Sequence, residues 1–233
     1  MKLSKILHRI DYKGIYEDMN ISGIYQDSRK ISKKNSLFLA LNGQSYNGNK
    51  YINEAIGLGA RAIITDQNIL LDADIPLLKV DNCRKVIPMI AKNFFGNPSK
   101  KIHITGITGT NGKTSIAYIL GEILEFKNLK WSTLGTLGLK NSNDLIDTGF
   151  TTPESIELNE ILYKLAKLNT SNLIMEVSSH ALSQNRVDGI DFNIAVFSNL
   201  SHDHTDFHGN LENYFNSKLI LFKKLNSNNL AII

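Results

Sequence analysis

The sequence predicts an α/β protein: a small N-terminal α/β domain, then a second domain whose mostly parallel sheet is covered by helices. Three observations predict it. Short apolar runs of strand length alternate with longer stretches whose apolar residues recur at helical spacing, the pattern of βα units. Gly96-Asn97-Pro98-Ser99 punctuates that alternation and divides the chain into expected domains 1–98 and 99–233. A glycine-rich loop, residues 106–112, lies between a β-prone segment and an amphipathic helix. With 233 residues, 42% of them hydrophobic, the chain can bury one large or two modest cores.

In the first domain, residues 36–41 read as a strand, followed by a Gly/Asn-rich turn and a helix over 51–58. Residues 62–65 and 77–80 read as short buried strands, and 84–95 as a helix. In the second domain, residues 101–104 lead as a strand into the glycine loop. Residues 113–126 follow as a helix, with Ile116, Ile119, Leu120, Ile123 and Leu124 at helical spacing. A helix over 153–168, strands over 173–177 and 194–198, and a helix over 211–225 complete the pattern. The last four residues, Leu230-Ala231-Ile232-Ile233, read as a strand just beginning, so the second domain is expected to be incomplete and the chain to be the front part of a longer protein.

Composition narrows the function classes. The formal charge is +4 and the isoelectric point near 9.0, with both signs interspersed and no basic stripe interleaved with aromatics, which argues against a nucleic-acid partner. Cys83 is the single cysteine, excluding an internal disulfide and a cysteine-rich zinc site and fitting a reducing compartment. His8, Arg9 and Asp11 interrupt the basic amino terminus, and no apolar run approaches the ~20 residues that cross a bilayer. The cytoplasm is the expected location.

Chemistry concentrates in five places. Gly106, Gly109 and Gly112 permit tight turns that aim backbone N–H groups at phosphate, helped by the positive end of the following helix dipole. Gly109, Thr110, Asn111, Gly112, Lys113, Thr114 and Ser115 form the expected cradle, with Lys113 on the terminal phosphates and the Thr114 hydroxyl toward Mg²⁺. The usual G-x-x-x-x-G-K-T spacing wants glycine where this chain has Ile107; the plain alternative is a glycine-rich turn. In Thr151-Thr152-Pro153-Glu154, Thr152 suits an N-cap and Pro153 a first helical position, so the segment is either a helix start or an anion-binding Thr pair. Glu176 ends an apolar strand, where α/β sheets gather ligands; it reads as a Mg²⁺ ligand or as a cap on a nearby helix. His202, Asp203, His204, Asp206 and His208 admit a zinc reading, but oxygen-rich neighbours favour a hard cation with at most one imidazole. Lys218 falls on one helix face with Leu211, Tyr214, Phe215, Phe222 and Leu225. Either its stem snorkels outward, or desolvation makes its amine nucleophilic and able to form a carbamate with CO₂.

These segments, with Asp27-Ser28-Arg29, residues 37–43, Ser178-Ser179-His180-Ala181-Leu182 and Asp203-His204-Thr205-Asp206-Phe207-His208-Gly209, resemble the Mur ligases, most closely those of the UDP-N-acetylmuramoyl-tripeptide synthetase type. The resemblance implies a UDP-binding first domain and a P-loop-type ATP-binding second domain. It also implies ATP-dependent addition of meso-diaminopimelate or L-lysine to UDP-N-acetylmuramoyl-L-alanyl-D-glutamate through an acyl phosphate, by a monomer, in peptidoglycan synthesis. It places Lys113, Glu176, His204 and Lys218 in catalysis, with Thr114, Glu176, His204 and N6-carboxylated Lys218 serving Mg²⁺. Gln26, Ser28, Gln44, Ser45 and Tyr46 would hold the uridine nucleotide. Thr151, Thr152, Ser178, Gln184 and Arg186 would meet the muramoyl-dipeptide. Phe150 and Asn47 depart from relatives that carry Asn and Asp there, and the family's third domain, which binds the incoming amino acid, is missing. A non-catalytic binding fragment and a folylpolyglutamate-synthetase-like ligase stand as alternatives.

Overall fold

The computed structural model describes all residues except 44–46, 142, 143 and 204. It divides into two units, Met1–Gly96 and Asn97–Ile233, each built on its own sheet.

The first unit comprises α1 (Leu3–Ile6), β1 (Gly23–Tyr25), β2 (Ser36–Ala40), α2 (Ile52–Gly57), β3 (Ala60–Thr65), β4 (Leu77–Lys79) and α3 (Cys83–Phe94). Its strands lie in the order β1-β2-β3-β4, all parallel, with Ile24 opposite Leu37 and Leu39 opposite Ile64. Every residue of β2 is buried, which is why its sequence does not alternate: a parallel strand covered on both faces needs no polar side. Asn82 caps α3 by accepting from the Lys85 N–H at 3.1 Å. From the other end of α3, Asn93 Nδ2 donates to the carbonyls of Ile6 and His8, both at 2.9 Å, satisfying acceptors that α1 leaves open. α1 and β1, at four and three residues, are too short to show a period in the sequence.

The second unit comprises β5 (His103–Thr108), α4 (Lys113–Phe126), β6 (Trp131–Gly135), β7 (Gly138–Lys140), β8 (Leu145–Ile146), α5 (Ser155–Lys167), β9 (Asn172–Glu176), α6 (Ser179–Ser183), β10 (Ile194–Phe197), α7 (Thr205–His208), α8 (Leu211–Phe222) and β11 (Leu230–Ile232). The sheet order is β11-β10-β5-β9-β6-β7-β8; the first five strands are parallel and the last two antiparallel. Ile104, Leu134, Leu158, Leu162, Leu173, Met175 and Ala195 form the main core, and Ile107, Ala117 and Ile174 a smaller one beneath α4.

The structure changes three expectations here. The strand before the glycine loop runs to Thr108, four residues further than its β-prone start suggests. Gly106 is therefore strand, and Ile107, where the phosphate-loop spacing asks for glycine, is a fully buried core residue. Thr152 is not a helix cap and Pro153 precedes the helix: α5 begins at Ser155, with Glu154 at the N-cap position making no side-chain bond. The β6–β8 ribbon and the short helices α6 and α7 were not expected, being too brief or too mixed in pattern to show in the sequence. What positions the site is the central run β10-β5-β9-β6, whose carboxyl ends lie side by side so that their loops converge.

Candidate functional site

After β5 the chain turns at Gly109 (φ 145°) and enters α4 from Gly112 (φ 83°), two conformations that a side chain disfavours. The segment following β10 fastens this turn. Asn199 accepts from the Thr110 N–H through its carbonyl and from the Asn111 N–H through Oδ1, each at 3.0 Å, and its Nδ2 donates back to the Asn111 carbonyl at 3.0 Å. Ser198 Oγ donates to the same carbonyl at 2.7 Å, and Ser201 N–H donates to Thr110 Oγ1 at 3.0 Å. This shortens the expected cradle. Thr110 and Asn111 direct their N–H groups at Asn199, leaving the first turn of α4, at Lys113, Thr114 and Ser115, with the donors that helix geometry does not use.

Two ammonium groups meet behind the turn. Lys113 Nζ donates to the carbonyls of Gly109 at 3.1 Å and Thr110 at 2.9 Å, and Lys218 Nζ donates to Gly109 O at 2.8 Å. Lys218 does not snorkel: it is 1% exposed, and its amine lies 4.0 Å from the Tyr214 ring centroid. The apolar stripe of α8 faces inward, so the stem cannot reach solvent and the amine finds a backbone acceptor instead. Burial, reinforced by the Lys113 charge and opposed by Asp203, lowers the Lys218 pKa to about 7. Burial also lowers that of Lys113, against the raising influence of Glu176 and Asp203.

Glu176, at the end of β9 and 2% exposed, is held on both oxygens. Thr136 N–H donates to Oε1 at 3.0 Å, Thr114 Oγ1 to Oε2 at 3.0 Å and Thr136 Oγ1 to Oε2 at 3.3 Å. Among the described residues Glu176 caps no helix, against that alternative. The carboxylate lies over Gly135, where an added Cβ would stand within 2.6 Å of its carboxyl carbon. On the expectation that Glu176 serves Mg²⁺, Gly135→Ala should displace the carboxylate and weaken Mg²⁺-dependent nucleotide binding by about tenfold, the scale on which loss of an orienting contact acts at a metal site. Nucleotide titrations with and without Mg²⁺ measure this; equal Mg²⁺ enhancement in variant and parent would refute it. Together the Thr114 hydroxyl and Glu176 carboxylate form an all-oxygen donor set of the kind a hard divalent cation takes.

Thr152 Oγ1 donates to the Glu176 carbonyl at 2.9 Å and accepts from the Ser178 N–H at 3.1 Å, tying the Thr pair to the end of β9. Thr151 Oγ1 lies 3.1 Å from Thr136 Oγ1. Arg186 and Gln184 hold each other: the guanidinium donates to Gln184 Oε1 at 2.7 and 3.1 Å and to the Thr152 carbonyl at 3.1 Å. It also pairs with Glu154 at 3.0 Å and lies 5.3 Å from the Phe150 ring. Phe150 thus offers a face to Arg186. The zinc reading fails for His208, which is buried, bonded through Nε2 to Ser179 Oγ at 3.0 Å and packed against the His180, Phe207 and Tyr214 rings. Among the described residues no cluster of three or more His, Cys, Asp and Glu is placed to hold a metal. His204 lies outside the described residues, as do Gln44, Ser45 and Tyr46.

In the first unit, Gln26 and Ser28 follow the carboxyl end of β1. Gln26 Oε1 is shut off from solvent and has no hydrogen-bond partner among the described residues, an acceptor that a ligand could use, and Ser28 is buried. Between them Asp27 holds Arg29 through both carboxylate oxygens, at 2.9 and 2.8 Å. Asn47 Oδ1 accepts from Asn49 N–H at 3.0 Å and Asn49 Nδ2 at 2.9 Å, which an Asp carboxylate does equally well.

Sequence reasoning missed Asn199 as the clamp of the loop and missed Gly135 and Thr136 altogether. Gly135-Thr136 follows the short run Trp131-Ser132-Thr133-Leu134, half of it polar, and acquires meaning only once that run is known to be a strand beside β9.

Comparison with known proteins places this geometry. A family model described as Mur ligase middle domain matches residues 107–233, and one described as Mur ligase family, catalytic domain, matches residues 20–95. The UDP-N-acetylmuramoyl-L-alanyl-D-glutamate--2,6-diaminopimelate ligase of Clostridium tetani is 41% identical over 228 residues, covering 96% of this chain and 47% of that protein. Its namesake in Caldanaerobacter subterraneus subsp. tengcongensis is 44% identical over 206 residues, covering 88% and 42%. A solved structure of a ligase of that name superposes with a TM-score of 0.78 at 28% identity, over 95% of this chain and 45% of that one. The chain spans about half the length of the curated relatives it matches. With more than half its own residues inside the middle-domain match, and a fastened glycine turn, Lys113, the buried Lys218 and Glu176 converging within that match, the chain belongs to the Mur ligase family.

Proposed function

We propose that this chain carries the nucleotide-sugar-binding and ATP-binding parts of an ATP-dependent amide-forming ligase that extends UDP-N-acetylmuramoyl-L-alanyl-D-glutamate by a diamino acid in peptidoglycan synthesis. The observation that carries the reading is the convergence of Lys113, Lys218 and the Thr114–Glu176 pair around one helix N-terminus. The names of the relatives favour 2,6-diaminopimelate over L-lysine as the added amino acid. The reading makes the protein a cytoplasmic monomer; among the described residues no helix is long and apolar enough to cross a membrane.

In this reading the α4 N-terminus and Lys113 bind the triphosphate, and Lys113 turns from the loop carbonyls to the transferring phosphoryl group. The substrate carboxylate attacks the γ-phosphorus, ADP leaves, and the incoming amine then displaces phosphate from the acyl phosphate to form the amide. Mg²⁺, held by Thr114, Glu176 and His204, would neutralise charge on the phosphate oxygens. Thr151, Thr152, Ser178, Gln184 and Arg186 orient the muramoyl-dipeptide, with Gln26, Ser28 and residues 44–46 on the uridine nucleotide. Lys218 enters as its carbamate: the neutral amine adds to CO₂, forming an N–C bond and releasing a proton. The carbamate keeps an N–H for the Gly109 carbonyl and sets a negative group beside Lys113 in place of a second ammonium.

Lys113→Ala should reduce Mg²⁺–ATP affinity at least about tenfold, the worth of hydrogen bonds from a charged donor. Calorimetric titration measures it, and unchanged affinity would remove the loop assignment. Ligation is tested with ATP, Mg²⁺, the UDP-dipeptide and diaminopimelate, alone and with the polypeptide that matches the uncovered half of a relative. Product in either mixture supports the ligase reading; binding of both ligands without product in either leaves a binding module.

A further inference from the structure

Thr136 sits where the cation-binding and substrate-binding parts of the proposed site meet, and its hydroxyl has two acceptors for one proton. It occupies the two-residue turn between β6 and β7, whose flanking Gly135 and Gly138 pair across the antiparallel ladder. Its N–H is committed to Glu176 Oε1 at 3.0 Å. Its Oγ1 lies 3.3 Å from Glu176 Oε2 and 3.1 Å from Thr151 Oγ1. A hydroxyl donates once and accepts up to twice, so these two contacts cannot both be donations from Thr136.

Two proton arrangements follow. When Thr136 donates to Glu176, the Thr151 hydroxyl completes its contact only by donating to Thr136, and no proton of Thr151 is left for an anionic substrate group. When Thr136 turns to donate to Thr151, the Thr151 proton is released toward substrate and Glu176 Oε2 keeps only the Thr114 hydroxyl. The turn is exposed, so neither arrangement strands a buried polar group, and a ligand needs little free energy to select between them.

We infer that Thr136 is a positioning residue that couples occupancy of the Glu176 cation site to affinity for the anionic dipeptide end of the substrate through the orientation of its single hydroxyl proton. The inference rests on the ligase reading above. A divalent cation held by Glu176 would make that carboxylate a poorer acceptor for Thr136, whose hydroxyl would turn to Thr151 and free that residue's proton for a substrate carboxylate. The sign is fixed: cation and nucleotide tighten substrate binding, and by linkage substrate tightens binding of the cation and nucleotide by the same factor.

The test uses the full chain, a non-hydrolysable ATP analogue with Mg²⁺, and UDP-N-acetylmuramoyl-L-alanyl-D-glutamate, reading the ratio of substrate affinities with and without the first ligand. The expected ratio is about tenfold in the parent, the scale of one hydrogen bond to a charged group. It should fall below about twofold in Thr136→Val, which keeps shape and N–H but loses the hydroxyl, and return in Thr136→Ser. A merely structural role would lower the affinities without erasing their ratio, and would not be rescued by serine. Persistence of the ratio in Thr136→Val overturns the inference, as does a parent that binds both ligands independently; both results leave the ligase reading standing. A parent that binds neither ligand overturns the ligase reading and the coupling with it.

Discussion

Gly109→Ala should leave the second unit without measurable nucleotide binding and destabilise it by about 4 kcal/mol, the sum of a strained backbone and a forced overlap. At φ 145° the residue occupies backbone space that side chains rarely enter, and the added methyl would overlap Ser198 Oγ and stand 3.0 Å from Asn199 N and 3.1 Å from Asn199 O. Those atoms belong to the clamp that shapes the loop, so the methyl and the Thr110–Asn199 and Asn111–Asn199 bonds cannot all keep their places. Moving the turn also moves the Gly109 carbonyl, the acceptor shared by Lys113 and Lys218. Gly96→Ala supplies the contrast: its φ is also positive, at 73°, but nothing lies within 4 Å of the added carbon, so only a backbone cost of about 1 kcal/mol is expected. Denaturant unfolding and nucleotide titration of both variants decide the matter. Near-parental stability and binding in Gly109→Ala would show that the loop reshapes freely and that the clamp does not define it.

The division between what the sequence revealed and what it hid follows physical range. α4 and α8 are legible because a dozen or more residues sample several turns, and buried strands such as β2 are legible because both faces are apolar. Lys113, Thr114 and Glu176 could be singled out because their chemistry is carried by neighbours in sequence or by a strand end. The state of Lys218 could not be decided, because whether a lysine in an apolar stripe snorkels depends on what faces that stripe, here Tyr214 and a carbonyl 109 residues away. Asn199, 88 residues from Asn111, was invisible for the same reason: its function is defined entirely by a partner brought near by the pairing of β10 with β5. The helix-cap alternative for Thr152 fails for the opposite reason. The local pattern suits a helix cap, but the Glu176 carbonyl and Ser178 N–H across the sheet edge outcompete that role.

Lys218→Met should make the nucleotide- and magnesium-free protein more stable near neutral pH while abolishing ligation in any mixture that supports it. The unfolded chain protonates this amine with an ordinary pKa of 10.5, whereas burial and the Lys113 charge bring the folded value to about 7. Between those values the unfolded state holds a proton that the folded state lacks, so the stability of the parent rises with pH, by up to about 1.4 kcal/mol per unit. Below pH 7 both states are charged, the slope vanishes and the full penalty of the buried ammonium is present. Methionine has similar length and no charge, and the Gly109 carbonyl keeps Lys113 as a donor, so the variant loses the penalty without orphaning an acceptor. The quantity to measure is the difference in unfolding free energy between variant and parent from pH 6 to 10. Taking the difference cancels the titration of Cys83, pushed up to about 12 by burial, and of Tyr214, raised by the same cause. The variant's advantage should be largest at the acid end and shrink as pH rises. A pH-independent difference would mean that the amine is solvated and charged throughout, and would remove the physical ground for its carboxylation. A variant more stable than the parent would support the carbamate role proposed for Lys218: a neutral amine is what CO₂ requires, and a buried site beside Lys113 is where the resulting anion is compensated.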